Sequence, residues 1–257
     1  MKRFSILVLA LGLLASGCVL SPNAAVYQTS TIDALLAGVY DGETTFRKLL
    51  ENGDFGIGTI DHLDGEIVVL DGEVYQIKSD GKVYRPDLSV KTPFATVCKF
   101  HADGAFSIEL GTDFDSVEKL IDEKYPNQNL FHAIKIAGKF KAIKTRSVPR
   151  QEKPYPSLKV ATSHQPEFEM ENISGTIVGF RCPAYTKGIN VPGYHLHFIS
   201  SDKTRGGHVL GLTIEEAECE VDVLDRWTLQ LPADNQNFSE TDLSKDRSKD
   251  LHAVEKR

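Results

Sequence analysis

The chain has 257 residues, 41% of them hydrophobic and 25% charged, enough apolar content for one large core or two smaller ones and too much for a disordered or collagen-like chain. Its 29 Lys and Arg stand against 36 Asp and Glu, a net charge of −7 with no long basic block, so there is no counterion-release drive toward nucleic acid. No period of about 20 to 50 residues recurs, which argues against solenoids and propellers.

Lys2 and Arg3 precede an apolar run over residues 4–15, too short to span a bilayer comfortably and the right size for the core of an export signal. The run ends in Leu14-Ala15-Ser16-Gly17-Cys18, small residues leading into a cysteine, which resembles the lipobox of bacterial lipoproteins, although Ala15 stands where leucine is commoner. Residues 1–18 therefore read as a signal peptide, and the product as exported and extracytoplasmic. It is either secreted after a plain signal cut or lipid-anchored through Cys18 at the bacterial envelope. Loss of Lys2 and Arg3 takes the net charge from −7 to −9. Cys98, Cys182 and Cys219 then remain, an odd number without a CxxC pair, so neither a disulfide framework nor a zinc ribbon is expected, and one disulfide at most. Cys98 lies in an apolar stretch and reads as a small core residue.

Apolar residues at helical spacing behind a Ser30 or Thr31 cap predict a helix over 31–40. A second is predicted from Thr44-Thr45 to the stop at Asn52-Gly53. Three Asp-Gly turns, at residues 64–65, 71–72 and 80–81, separate runs rich in Val, Ile and Tyr and predict a β-meander over 66–70 and 73–77. Further strands are expected over 94–100 and 105–110, then a helix over 115–124 with Val117, Leu120 and Ile121 on one face. The alternation over 130–145 suggests a hairpin turned near Gly138. Pro149, Pro154 and Pro156 suit a connector between two halves or a loop within one domain. The expectation is an α+β protein of two β-rich parts, with mixed or antiparallel sheets and a few packed helices: an N-terminal part over 25–150 and a strand-rich C-terminal part over 151–257.

The chemistry concentrates in residues 192–210, Pro-Gly-Tyr-His-Leu-His-Phe-Ile-Ser-Ser-Asp-Lys-Thr-Arg-Gly-Gly-His-Val-Leu, which hold three of the eight histidines. Strand alternation aims His195 and His197 at one face and Leu196 and Phe198 at the other. Folding about the polar turn sets His208 opposite His197 on the returning strand. Three neutral imidazoles on one hairpin suit a divalent metal with coordination positions left for water or substrate. Spacing does not choose among zinc, manganese, iron and nickel, and three hydrogen-bonded histidines without a metal satisfy the same pattern. Gly206-Gly207 need no more than a hairpin corner to explain them.

The string PGYHLHFISSDKTRGGHV resembles the metal-binding hairpin of bacterial α-acetolactate decarboxylase. The likeness continues through Ser30-Thr31-Ile32-Asp33-Ala34-Leu35, Gly56-Ile57-Gly58-Thr59-Ile60, Leu63-Asp64-Gly65-Glu66, Lys91-Thr92-Pro93-Phe94-Ala95, Thr145-Arg146-Ser147-Val148-Pro149 and Leu251-His252-Ala253-Val254-Glu255. This resemblance implies that His195, His197 and His208 hold Zn2+ or another divalent metal and that no organic cofactor is needed. It also implies that Glu66, Arg146 and Glu255 join them as catalytic residues, with Thr59 nearby, and that the protein is a homodimer. The implied reaction is decarboxylation of 2-acetolactate, a small 2-hydroxy-3-oxo acid, to (R)-acetoin and carbon dioxide. In that scheme the metal chelates the ketone and hydroxyl oxygens and stabilises an enediolate, while Arg146 pairs with the carboxylate or the developing oxyanion. A protonated glutamate or a positioned water then supplies the proton.

The residues alone would not have selected those three companions. Glu66 follows an Asp-Gly turn and reads as a solvated carboxylate; Arg146 stands among Lys141, Lys144 and Arg150 as a charged face; Glu255 lies in a polar tail. Two other readings use the same histidines. A cupin-type oxygenase or isomerase also carries His-x-His on a hairpin, but its third histidine usually comes from a more distant strand. A non-catalytic metal-binding lipoprotein would take up metal without turnover.

Overall fold

The computed structural model describes residues 25–255. The signal peptide, Cys18 and its lipidation lie outside the described residues. In chain order the elements are β1 (Ala25–Thr29), α1 (Ile32–Leu36), β2 (Thr44–Thr45), α2 (Phe46–Leu50), β3 (Phe55–Thr59), β4 (Glu66–Leu70), β5 (Glu73–Ile77), β6 (Val83–Tyr84), β7 (Lys91–Thr92), β8 (Ala95–Cys98) and β9 (Gly104–Ile108). There follow α3 (Phe114–Lys124), β10 (Phe131–Arg146), α4 (Leu158–Ala161), β11 (Glu167–Cys182), β12 (Gly193–Ser200), β13 (Gly206–Leu224), β14 (Arg226–Gln230), α5 (Gln236–Glu240) and α6 (Ser248–Glu255). Local chemistry sets the helix starts. Thr31 Oγ1 accepts from Ala34 N, Thr45 Oγ1 from Lys48 N and Asp113 Oδ1 from Ser116 N, each satisfying a first-turn donor. The protein is α+β, as its pattern predicts, and the Asp-Gly meander forms as β4 and β5.

Two sheets carry the fold. The first runs β14-β1-β8-β3-β4-β5-β6. The second runs β10-β11-β12-β13-β9, and β10 also pairs with β13, so that β10, β11, β12 and β13 close into a ring. Ile134, Ile136, Phe140, Ile177, Leu196, Phe198 and Ile214 belong to one buried cluster on these strands. A second cluster joins the two sheets, setting Phe55, Val68 and Ile77 of the first with Ala133, Val178 and Ile199 of the second. Ile67 and Val69 alternate away from Val68 and Leu70 into a further cluster beside α2. Leu36, Leu158, Leu251 and Val254 form the last cluster, which brings α1, α4 and α6 together.

Three expectations change. Residues 130–145 are not a hairpin: β10 is one strand of 16 residues, paired along its length with both β11 and β13. Gly138 makes no turn. It lies opposite Gly175 on one side and Ala217 on the other, and a Cβ there would sit 2.1 Å from Glu216 O and 2.6 Å from Ala217 Cα. Glycine is required by close strand approach, which sequence alone cannot distinguish from a turn glycine. The division between 150 and 151 does not separate the sheets. β9 and β10 precede it yet belong to the second sheet, and β14 follows it yet pairs in parallel with β1. Finally, the polar tail ends as α6, held by burial of Leu251 and Val254.

The three described cysteines are buried and free, with burial pushing the thiols of Cys182 and Cys219 up to about 12. Among the described residues no helix is long and apolar enough to cross a membrane.

Gly138→Ala is expected to destabilise the protein by about 2 kcal/mol or more in denaturant unfolding, because backbone atoms of β13 cannot retreat. Gly211→Ala, on the same sheet but with nothing within 4 Å of an added Cβ, is the control and should change stability by less than about 0.5 kcal/mol.

A pH effect follows from Asp222, whose Oδ2 accepts from His101 N at 2.9 Å while Oδ1 is buried without a partner. Burial first, and the nearby charges of Asp103 and Asp54, raise its pKa from 3.8 to about 6. The folded chain therefore binds this proton more tightly than the unfolded chain does, and stability falls as pH rises from about 4 to about 6. Unfolding free energies measured across that range should show this contribution as a pH-dependent difference between the wild type and Asp222→Asn, which lacks the titrating carboxyl.

Candidate active site

The second sheet places its polar residues in register. On β12 and β13, His197 lies directly opposite His208; on β13 and β10, His208 lies directly opposite Arg146. Directly opposed residues of an antiparallel pair share a face, so Arg146, His208 and His197 form one row across three strands. His195 is two residues from His197 and shares that face, while Leu196 and Phe198 alternate into the apolar cluster of the ring, as the alternation predicts. Gly207 serves this row. Its φ is +138°, and a Cβ would sit 2.5 Å from Arg146 O, so only glycine lets β13 approach β10 just before His208. A hairpin corner alone does not account for that contact.

The three imidazoles converge. Ring centroids are 5.1 Å apart for His195 and His197, 5.0 Å for His195 and His208 and 5.4 Å for His197 and His208. One nitrogen from each lies within 4.8 Å of the others. His197 is fully buried and His208 nearly so. Burial, followed by the charge of Arg146, lowers the pKa of His195 to about 3. Burial likewise holds His197 far below its ordinary value, with His195 and Arg146 adding to the effect. His195 and His197 are therefore neutral at physiological pH.

The first sheet supplies the facing wall. Ile67 O of β4 lies 2.8 Å from His197 Nδ1; a carbonyl can only accept, so Nδ1 carries the hydrogen and Nε2 the lone pair. That Nε2 is buried without a hydrogen-bond partner, although Glu66 Oε2 stands 3.5 Å away. Glu66 pairs with Thr59 across β3 and β4, and Thr59 Oγ1 donates to Gly65 O at 2.7 Å, fixing the turn from which Glu66 projects. Burial raises the Glu66 carboxyl to about 7; Glu255 also raises it, while Arg146 and the Val148 N–H oppose the shift.

The C-terminal helix closes the arrangement. Glu255 Oε2 lies 3.5 Å from His208 Nε2, and its side chain is 20% exposed. Seated α6 packs on α4, where Lys159 Nζ donates to Asp250 Oδ1 at 3.0 Å. The pocket is lined by Leu35, Leu63, Phe94, Leu158 and Val254 on its apolar side, and Thr59, Glu66, Arg146, His195, His208 and Glu255 also reach it.

All six residues singled out from sequence are thus brought together, with Thr59 alongside. The solvated reading of Glu66 and the charged-face reading of Arg146 do not hold, because both side chains are covered. Arg146 is 6% exposed beneath the segment that links α4 to β11, whereas Lys144, two residues away, reaches Glu167 at the surface. Sequence reasoning missed the Ile67 carbonyl, since a backbone group leaves no residue-type signal. It also missed Gln165, which reaches the cavity beside Arg146.

Fold and site together define an α+β protein with a buried three-histidine pocket bearing one guanidinium and two carboxyl groups. Residues 26–245 match the family model described as alpha-acetolactate decarboxylase. The alpha-acetolactate decarboxylase of Methanosarcina mazei is 49% identical over 239 residues, covering 92% of this chain and 83% of that protein. That of Brevibacillus brevis is 41% identical over 235 residues, covering 91% and 82%. The crystal structure of alpha-acetolactate decarboxylase from Bacillus subtilis strain 168 superposes with a TM-score of 0.88 at 39% identity, covering 91% of this chain and 100% of that one. The chain belongs to the alpha-acetolactate decarboxylase family.

Proposed function

We propose that the protein decarboxylates 2-acetolactate (2-hydroxy-2-methyl-3-oxobutanoate) to (R)-acetoin and carbon dioxide in acetoin and 2,3-butanediol formation, using a divalent metal held by His195, His197 and His208. The observation that carries this reading is the in-register row of Arg146, His208 and His197, which sets a carboxylate-binding cation beside a three-imidazole pocket.

The residues fit a metal. His197 presents a lone pair from a buried nitrogen that no protein donor satisfies, and its other nitrogen is oriented by a backbone carbonyl. Neutral imidazoles are the ligand form a metal needs. Three imidazoles suit zinc, and the family resemblance favours it, while iron and nickel accept the same donors. When bound there, the metal supplies Lewis acidity toward neighbouring hydroxyl and ketone oxygens and stabilises the negative charge that develops as carbon dioxide leaves.

The chain's own groups do the rest. Arg146 pairs with the substrate carboxylate and fixes the bond that breaks. The electron pair of that bond passes toward the adjacent carbonyl, and the carbon that lost carbon dioxide takes up a proton. Glu66 Oε2 and Glu255 Oε2, each beside a histidine, are the atoms at which that proton can be held or relayed. The apolar lining receives the methyl groups and limits access of water. With one wall from each sheet, protonation occurs from one side, which supports a single hand of acetoin. The reading extends to export, with an acyl chain on Cys18 where the lipobox-like segment is processed, and to a homodimer.

Purified protein is expected to release acetoin from racemic acetolactate, to lose that activity on chelation and to regain it with Zn2+. Arg146→Ala should lower kcat/KM by about a hundredfold or more while keeping bound metal, whereas His208→Ala should lose both. Metal-loaded, folded protein that released no acetoin above the spontaneous rate would favour the oxygenase or metal-binding reading. Fractionation of labelled cells tests both parts: an exported product is found outside the cytoplasm, and if Cys18 carries the acyl chain the wild type partitions with membranes while Cys18→Ser does not.

A further inference from the structure

Arg146 can act on a substrate carboxylate only if its long side chain is held in one place. Four rotatable bonds separate the guanidinium from the backbone, and the register that fixes the Cα does not fix the charge. The segment joining α4 to β11 supplies what the strand lacks. The β10–β11 ladder ends at Arg146 opposite Glu167, and just beyond it Ser147 N donates to Pro166 O at 3.4 Å. Gln165 is the next residue back along that segment, and its own N–H donates to Thr162 O at 3.3 Å. Its side chain turns to the guanidinium. With the amide carbonyl facing these donors, Gln165 Oε1 accepts from Arg146 Nη1 at 3.1 Å and from Nε at 3.3 Å.

We infer that Gln165 is the positioning residue for Arg146, holding the guanidinium toward the substrate carboxylate through its amide oxygen without neutralising the charge. The inference rests on the decarboxylase reading of the site. A glutamate here would accept the same two hydrogen bonds but place a second anion on Arg146, in competition with the substrate. The amide is an acceptor with no net charge, so the guanidinium keeps its full attraction for a carboxylate. Gln165 is half-buried on a turn rather than in a core, so replacing it does not open a cavity in any apolar cluster.

The experiment is a steady-state comparison of acetolactate decarboxylation by the zinc-loaded full chain and its variants, with bound zinc and thermal unfolding measured on each. Gln165→Met keeps the length and volume and removes the acceptor. It should lower kcat/KM about tenfold to a hundredfold at unchanged zinc content and unchanged melting temperature. Gln165→Glu should keep kcat within a few-fold of wild type and raise KM, because the guanidinium remains placed while its charge is engaged. In an Arg146→Ala background, Gln165→Met should add less than about a twofold further loss, the signature of two residues acting as one unit.

Wild-type kcat/KM in Gln165→Met overturns the inference, as does an undiminished loss in the Arg146→Ala background, which would show Gln165 acting elsewhere. Failure of the underlying reading looks different: wild-type protein without turnover, or Arg146→Ala with full turnover.

Discussion

The site depends on the closure of the second sheet. Strand β10 pairs with β11 on one side and β13 on the other, and the ring returns through β12. Because antiparallel pairing is quantised in residues, closing the ring leaves no freedom to slide one strand without moving every partner. Arg146, His208 and His197 therefore align as a consequence of backbone pairing, and the apolar faces of the same strands enforce the register. A slip of one residue on β13 would turn His208 from the site and drive Val209 out of the core at once.

Closure alone makes half a site. The histidine row faces outward from the ring, and the first sheet gives it a facing wall, so that Ile67 O orients one imidazole and Glu66 stands beside it. Desolvation is the price of this sandwich. It keeps the His195 and His197 imidazoles neutral and pushes the Glu66 carboxyl to about 7, so the cluster avoids burying several like charges. Arg146 supplies the positive charge of the cluster, and its field reaches both His195 and His197. The helices cover the pocket as an apolar lid in which α4 and α6 meet through Leu158, Leu251 and Val254.

How much of this was legible depended on whether the signal was local. The meander was readable because each Asp-Gly pair supplies the left-handed residue that its turn requires; Gly65 and Gly72 have φ of +101° and +75°. The histidine hairpin was readable because period-two alternation and a short turn determine which side chains face each other. Gly138 was misread because the same residue serves turns and close strand approach, and only the neighbouring strands distinguish them. Glu66, Arg146 and Glu255 are ordinary surface types whose burial is created by elements distant in sequence, so only family resemblance pointed to them. Gln165 and the Ile67 carbonyl left no sequence signal, the first because a glutamine in a polar loop is an ordinary surface residue and the second because it is backbone.

The account's central claim is that three imidazoles, brought together by a closed sheet, form one metal site. X-ray absorption at the zinc edge on the full chain loaded with one equivalent of zinc tests it most directly. The account predicts multiple-scattering signatures of three histidines, with nitrogens at about 2.0–2.1 Å and the remaining positions filled by oxygen. A spectrum with sulfur at about 2.3 Å, or with fewer than three imidazoles, would contradict it.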